Sequence, residues 1–216
     1  MKVLKYRLMT EVNRGTEEQP DIACAFSDAS LICTDENYEA NLSFVKAEAY
    51  NGEVSVENIF KTVEEAKPAK IAEIKQACES YIYTGTDVTY SDGTTEHFTY
   101  TLADQSNISE MFTAIMAGAT EFPYHADGEI CKVYSKAQIV AIYGTLSLFK
   151  ANITTYHNSL KAQVNAMTDA DEINAVKFGE TELTGDYLDN YNTMMASAET
   201  QLNAVLARIP SDEASA

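Results

Sequence analysis

Basic side chains are scarce in this sequence. Fifteen Lys and Arg face 33 Asp and Glu, a formal net charge of −18. No basic cluster interrupts the acidity. A surface this negative repels a phosphate backbone and an anionic lipid face, which argues against nucleic-acid or membrane binding. Solubility accounts for the charge; steering toward a basic partner or a divalent cation is the sharper alternative. Long apolar runs are missing too, and none could span a bilayer. The opening Met-Lys-Val-Leu-Lys-Tyr-Arg-Leu-Met-Thr alternates charged and apolar residues, without the unbroken apolar core of a signal peptide. The expectation is a soluble protein outside the usual secretory route.

Cysteine is sparse and unclustered. Cys24, Cys33, Cys78 and Cys131 form no Cys-x-x-Cys pair and sit among apolar neighbours. That pattern reads as reduced, buried cysteines made in a cytoplasm; a disulfide or metal site between Cys24 and Cys33 across a strand pair is the alternative. A Gly-rich phosphate loop, Gly-x-Ser-x-Gly and His-Glu-x-x-His are all absent, and no carboxylate pair stands out from the acidic background. The signatures of phosphate-binding, serine-hydrolase and zinc-protease chemistry are therefore lacking, and no cofactor is expected.

Histidine is limited to His97, His125 and His157. His97 falls in a predicted strand and reads as a surface residue. His157 lies inside a long helix and reads as packed or solvated. His125, with Asp127 and Glu129, could gather side chains at a turn, but a metal there needs further ligands that the local sequence does not supply; a plain Asp127-Gly128 turn is the simpler account. Thr168-Asp169-Ala170-Asp171-Glu172 lacks the glycine and spaced acids of a calcium loop and is explained by a helix N-terminus. Tryptophan is absent while tyrosine is abundant. Tyr81, Tyr83, Tyr90, Tyr100, Tyr124 and Tyr134 fall in or beside predicted strands, lining either a binding face or core edges.

What is present is mostly helix. From Ser135 to Met167, apolar residues recur at Ile139, Ile142, Leu146, Phe149, Ile153, Tyr156 and Leu160, the spacing of a helix with one buried seam. Ser135 is its predicted N-cap. A second seam carries Leu188, Tyr191, Met195, Ala198, Leu202, Val205 and Ile209, in a helix from about Thr184 to Ile209. The two seams would bury each other in an antiparallel pair, or form a homo-oligomeric bundle. The candidate oligomer seam is Leu188, Tyr191, Met195, Leu202, Val205 and Ile209.

The remaining elements are shorter. Residues Lys2 to Val12 alternate as a strand, Ile22, Cys24 and Phe26 alternate again, and the polar residues between them read as a hairpin tip. Thr34 or Asp35 then caps a helix that ends at Asn51-Gly52, with a strand at Val54 and Val56. Lys61 to Pro68 reads as a linker, Pro68 opening a helix through Ile71, Ile74, Cys78 and Tyr81. Ser91-Asp92-Gly93 and Asp127-Gly128 mark two hairpins. Asn107 and Glu110 suggest a capping box between them. The sum is α+β and mostly helical: a ββαβ module at 1–60, a helical domain with two hairpins at 61–180, and a C-terminal helix at 181–216.

A Tyr-rich hairpin at Tyr90-Ser-Asp-Gly93, then Gln105-Ser-Asn-Ile108, then a hairpin entering the long helix resembles a helical domain of unknown function widespread in bacteriophage tail genes. The resemblance covers about Lys67 to Val176, including the polar run Asp104-Gln105-Ser106-Asn107. The N-terminal Met1 to Asn13, with Tyr50-Asn-Gly52, is similar to the start of short tail-region proteins of phages of Gram-positive gut bacteria. The resemblance implies a virion tail, tail-fibre or baseplate component made in the host cytoplasm. Its implied partners are other tail proteins and copies of itself, in trimeric or hexamer-related symmetry, and it carries no catalytic residues. An assembly chaperone absent from the mature virion is the alternative.

Overall fold

The computed structural model describes residues 2–14, 16, 19, 22–34 and 36–210. The fold is α+β and mostly helical. Two compact units share the chain: Met1–Lys70 with Met167–Lys177, and Ile71–Ala166 with Phe178–Ala216. The C-terminal helix therefore belongs to the second unit rather than standing apart.

The first unit is built on a hairpin. Strand β1 (Lys2–Asn13) pairs antiparallel with β2 (Ile22–Cys33), from Lys2 opposite Cys33 to Asn13 opposite Ile22. Most of the tip expected between them lies outside the described residues. Strand β3 (Val54–Asn58) pairs with β1 only from Lys2 to Tyr6, giving the sheet order β2-β1-β3. Helix α1 (Tyr38–Glu48) joins β2 to β3. Leu4, Cys33 and Val45 form the core, flanked by Tyr6, Leu31, Leu42 and Val54. This is the expected ββαβ module.

Its cap differs. Helix α1 starts after Asn37, which makes no side-chain cap bond, so Thr34 is not the cap; Asp35 lies outside the described residues. The helix also ends before Asn51-Gly52. Those two residues take φ of 58° and 70° in a 3-10 turn that redirects the chain into β3. The cysteine pairing fails on topology. Cys24 and Cys33 share one strand, opposite Glu11 and Lys2, and all four cysteines are free, with Cys24 and Cys131 exposed.

Helix α2 (Val63–Thr84) corrects the linker reading. Thr62 Oγ1 accepts from the Glu65 amide at 3.3 Å, so the helix opens five residues before Pro68. Pro68 therefore stands inside the helix, in its second turn, where it lacks the amide that would bond the Glu64 carbonyl. The face continues through Ile74, Cys78 and Ile82, while Tyr81 is exposed. Helix α5 (Ala170–Ala175) returns to the first unit. Asp169 caps it, accepting from the Asp171 and Glu172 amides at 2.8 and 2.9 Å. Asn174 Nδ2 donates to the Phe60 carbonyl and buried Lys70 Nζ to the Val176 carbonyl, both at 2.8 Å.

The second unit holds hairpin β4–β5 (Thr86–Thr89, Thr95–Phe98), helix α3 (Leu102–Met116), hairpin β6–β7 (Glu121–Tyr124, Lys132–Ser135), helix α4 (Lys136–Ala166) and helix α6 (Gly185–Leu206). Helix α4 opens with a reciprocal cap: Ser135 Oγ accepts from the Gln138 amide at 3.4 Å, and Gln138 Oε1 accepts from the Ser135 amide at 3.0 Å. Its seam supplies buried Ile139, Ile142, Leu146 and Leu160. The first two, with Leu146, join Val88, Phe98, Ile108, Met111, Ile115 and Tyr134 in the core.

Helix α3 begins five residues before Asn107. Its capping box is Thr101 with Asp104: Asp104 Oδ2 accepts from the Thr101 amide at 3.0 Å and Thr101 Oγ1 accepts from the Asp104 amide at 3.4 Å. Helix α6 runs antiparallel along α4. Leu202 and Leu206 lie over Gly144, and the Tyr191 hydroxyl donates to Asn152 Oδ1 at 2.8 Å. Among the described residues no helix is long and apolar enough to cross a membrane.

Candidate functional site

The two hairpins and the start of α3 bring together most polar side chains that could do chemistry. Two clusters result, both within the second unit.

The first centres on Glu96 in β5. Its carboxylate accepts from the Tyr90 hydroxyl at 2.8 Å and the Tyr134 hydroxyl at 3.0 Å, and it pairs with Lys132 Nζ. Lys132 and Tyr134 stand on β7, so Glu96 ties one hairpin to the other. Burial pushes the Glu96 carboxyl up, but the hydrogen bonds from Lys132 and the two tyrosines outweigh it and hold the group below the usual carboxylate value. Burial and the adjoining carboxylate push both tyrosine hydroxyls well above their ordinary range. Tyr90 and Tyr134 are therefore donors in a fixed network.

The second cluster centres on Thr99. Its hydroxyl lies 3.0 Å from Asp104 Oδ2 and 3.1 Å from Asp127 Oδ1. Asp104 also takes the Thr101 hydroxyl at 2.7 Å and the Tyr124 hydroxyl at 3.3 Å. Tyr124 is pushed up to about 12, first by burial and then by Asp104. Beside it His97 bridges three groups: Nδ1 to Asp87 Oδ1 at 2.7 Å, Nε2 to the Thr84 carbonyl at 2.8 Å, and Nε2 to Asp127 Oδ2 at 3.8 Å. The Asp127 amide donates to the His97 carbonyl at 3.0 Å. Asp127 thus turns toward His97 and Thr99, and His125 takes no part. The His125 ring stacks on Tyr124 at 5.2 Å, with Nδ1 by the Ala126 carbonyl at 3.1 Å. The turn is the β6–β7 hairpin connection and sends its aspartate to the β4–β5 hairpin.

His97, read as a surface residue, is half-exposed and carries a full set of partners. The sequence signal was Asp87, ten positions earlier and directly opposite it in the β4–β5 ladder. His157 packs against Phe178 with ring centroids 6.4 Å apart, and its buried Nε2 has no partner. Of the six tyrosines, Tyr90, Tyr100 and Tyr134 are buried in the core, Tyr124 is half-buried, and Tyr81 and Tyr83 are exposed on α2. They build the core edge more than an open face. Among the described residues, no three His, Cys, Asp or Glu side chains converge to hold a metal ion.

The candidate oligomer seam lies along α6 and just past it. Tyr191, Met195, Leu202, Val205 and Ile209 are half-buried, and Leu188 is exposed. Leu202 meets α4 and Ile209 meets the core of the second unit. The intrachain helix pair therefore accounts for much of the seam.

The family model described as "Domain of unknown function (DUF4376)" matches residues 65–177, just over half of the chain. No curated protein and no solved structure matches.

Proposed function

We propose that this chain, which belongs to the family of the domain of unknown function DUF4376, is a non-enzymatic structural component of a bacteriophage tail. Its place is the tail tip, baseplate or fibre attachment, and it acts through contacts with other tail proteins and with copies of itself. One observation carries the reading. The titratable groups gathered at the hairpins are committed to holding elements together: Glu96 joins two hairpins, and Asp104 caps α3 while receiving Thr99 and Tyr124. A carboxylate held by three or four donors is a rivet rather than a free general base. The resemblance of the Tyr90–Gly93 hairpin, the Gln105–Ile108 run and the long helix to tail-gene domains supplies the tail context. The acidic surface supports assembly against basic partner surfaces over contact with nucleic acid or lipid.

Quantitative peptide mass spectrometry on purified particles, with infected-cell lysate as control, tests this. The expected result is stoichiometric peptides in the particle, at a multiple of three copies per tail. Abundance in the lysate with absence from the particle would replace the structural role by that of an assembly chaperone.

A further inference from the structure

Strand β2 is a long edge with few of the devices that keep edges from pairing, the charge of Asp28 being one. Its outer side has no partner among the described residues, since the sheet order is β2-β1-β3. Natural edges are blunted by shortness, bulges, proline or lysine. Strand β2 has 12 residues, Ile-Ala-Cys-Ala-Phe-Ser-Asp-Ala-Ser-Leu-Ile-Cys, with neither proline nor lysine, and its register against β1 is one-to-one throughout. Three large apolar side chains stand exposed on it: Ile22, Phe26 and Ile32. All three share one face, because each is an even-numbered residue of the strand.

Charge decides what can approach. The chain carries −18, so two copies repel over most of their surface. Over residues 2–35 the sequence holds Lys2, Lys5, Arg7 and Arg14 against Glu11, Glu17, Glu18, Asp21, Asp28 and Asp35, but β2 itself carries a single charge. The single charge on β2, Asp28, already lies 3.3 Å from Arg7. The edge is therefore a nearly neutral strip on an acidic molecule.

Symmetry then selects the register. A twofold axis perpendicular to the sheet pairs β2 antiparallel with its own copy and keeps like faces together. Opposed residues must then have numbers of the same parity. Two registers overlap all but one residue of the strand. One sets Asp28 against its own copy, which like-charge repulsion disfavours. The other puts Ser27 on the axis, Ile22 opposite the partner's Ile32, and Phe26 opposite the partner's Asp28. It forms apolar cross-strand pairs at both ends.

We propose that β2 is the interface of a symmetric dimer, pairing antiparallel with β2 of a second copy about an axis through Ser27 to form one continuous six-stranded sheet. The dimer stands independently of the tail role, because it rests on the first unit alone.

Light scattering and cross-linking on the purified full-length chain test it. The wild type is expected at twice the chain mass. Ser27→Lys with Ile32→Lys, both at exposed positions, should halve that mass with an unchanged circular dichroism spectrum. In a Cys24→Ser/Cys131→Ser background, which removes the exposed thiols, Ser27→Cys should oxidise to a covalent dimer, whereas Ser30→Cys should not link to itself. A monomeric wild type, an oligomer indifferent to the lysine pair, or failure of Ser27→Cys to cross-link would each overturn the proposal. None of these results bears on whether the chain is found in virions.

Discussion

The ring of His97 meets the carboxylate of Asp87 at 2.7 Å while its far nitrogen meets the Thr84 carbonyl at 2.8 Å. A carboxylate and a carbonyl can only accept, so both ring nitrogens must donate. Only the imidazolium cation satisfies that geometry. The ring then clasps the end of α2 to the ladder of β4 and β5, with Asp127 as a second anion at 3.8 Å.

The first prediction follows from that clasp. The Asp87 hydrogen bond, the Thr84 carbonyl and the charges of Asp127 and Asp87 together raise the His97 pKa above its usual value. A group with a raised folded pKa stabilises fully below its unfolded value, near 6.5, and loses that contribution as pH climbs through the folded value. NMR titration of the imidazole should show a midpoint above the ordinary range, and Asp87→Asn should bring it down. A midpoint unmoved by Asp87→Asn would remove Asp87 as the main cause. Because His97 is half-exposed, the stability effect should be small and should shrink with salt.

His157 should behave with the opposite sign. Burial lowers its pKa, with Lys161 and Lys75 adding to the effect against Asn158 and Glu79. A buried neutral histidine gives its stability above the unfolded value and loses it as pH falls through the folded value. His157→Leu should keep the packing on Phe178 and remove both the titration and the orphan Nε2. The melting temperature of the variant should exceed that of the wild type, and by more at pH 5 than at pH 8. Equal shifts at both pH values would show that folding leaves the pKa of His157 unchanged.

Glu96 gives a third prediction. Glu96→Ala strands two buried tyrosine hydroxyls and unpairs Lys132. Each buried donor left unsatisfied costs about 1–3 kcal/mol, so the variant should lose on the order of 2–6 kcal/mol in urea denaturation. Glu96→Gln keeps an acceptor and should lose about half as much. A loss below about 1 kcal/mol for Glu96→Ala would mean that the hairpins are held chiefly by the Asp127 contacts to His97 and Thr99 and by apolar packing around Phe98.

The helices, both Asp-Gly hairpins and the N-terminal module were legible because each is encoded within a dozen neighbouring residues. Ser135 announces α4, and the recurrence of Ile139, Ile142, Leu146 and Leu160 announces the face that it buries. The missed features are of two kinds. Thr101–Asp104 and Asn107–Glu110 look alike in sequence, since a polar run offers several equivalent starts and only the packing of Ile108 and Phe112 chooses one. The ties from Lys70 to Val176 and from Asn174 to Phe60 span more than 100 positions. No periodicity carries that information. The same holds for the pairing of Glu96 with Lys132, whose residues look like ordinary surface charges until two separate hairpins are set side by side.

Gly85 and Gly93 separate conformation from space, and supply the last prediction. Both take left-handed φ, 72° and 85°. A Cβ on Gly93 would meet nothing within 4 Å, whereas a Cβ on Gly85 would lie 1.8 Å from the Phe98 carbonyl oxygen. Gly93→Ala therefore carries only the left-handed penalty of a non-glycine residue, about 1 kcal/mol. Gly85→Ala adds a collision with backbone that cannot rotate away. The β4–β5 hairpin would have to separate from the end of α2, breaking the His97 clasp and displacing Phe98 from the core. The expected loss exceeds about 3 kcal/mol, the range of strain plus a disrupted core. Urea denaturation of the two variants side by side measures the difference. Near-equal losses would show that the chain around Gly85 yields more easily than its close approach to Phe98 implies.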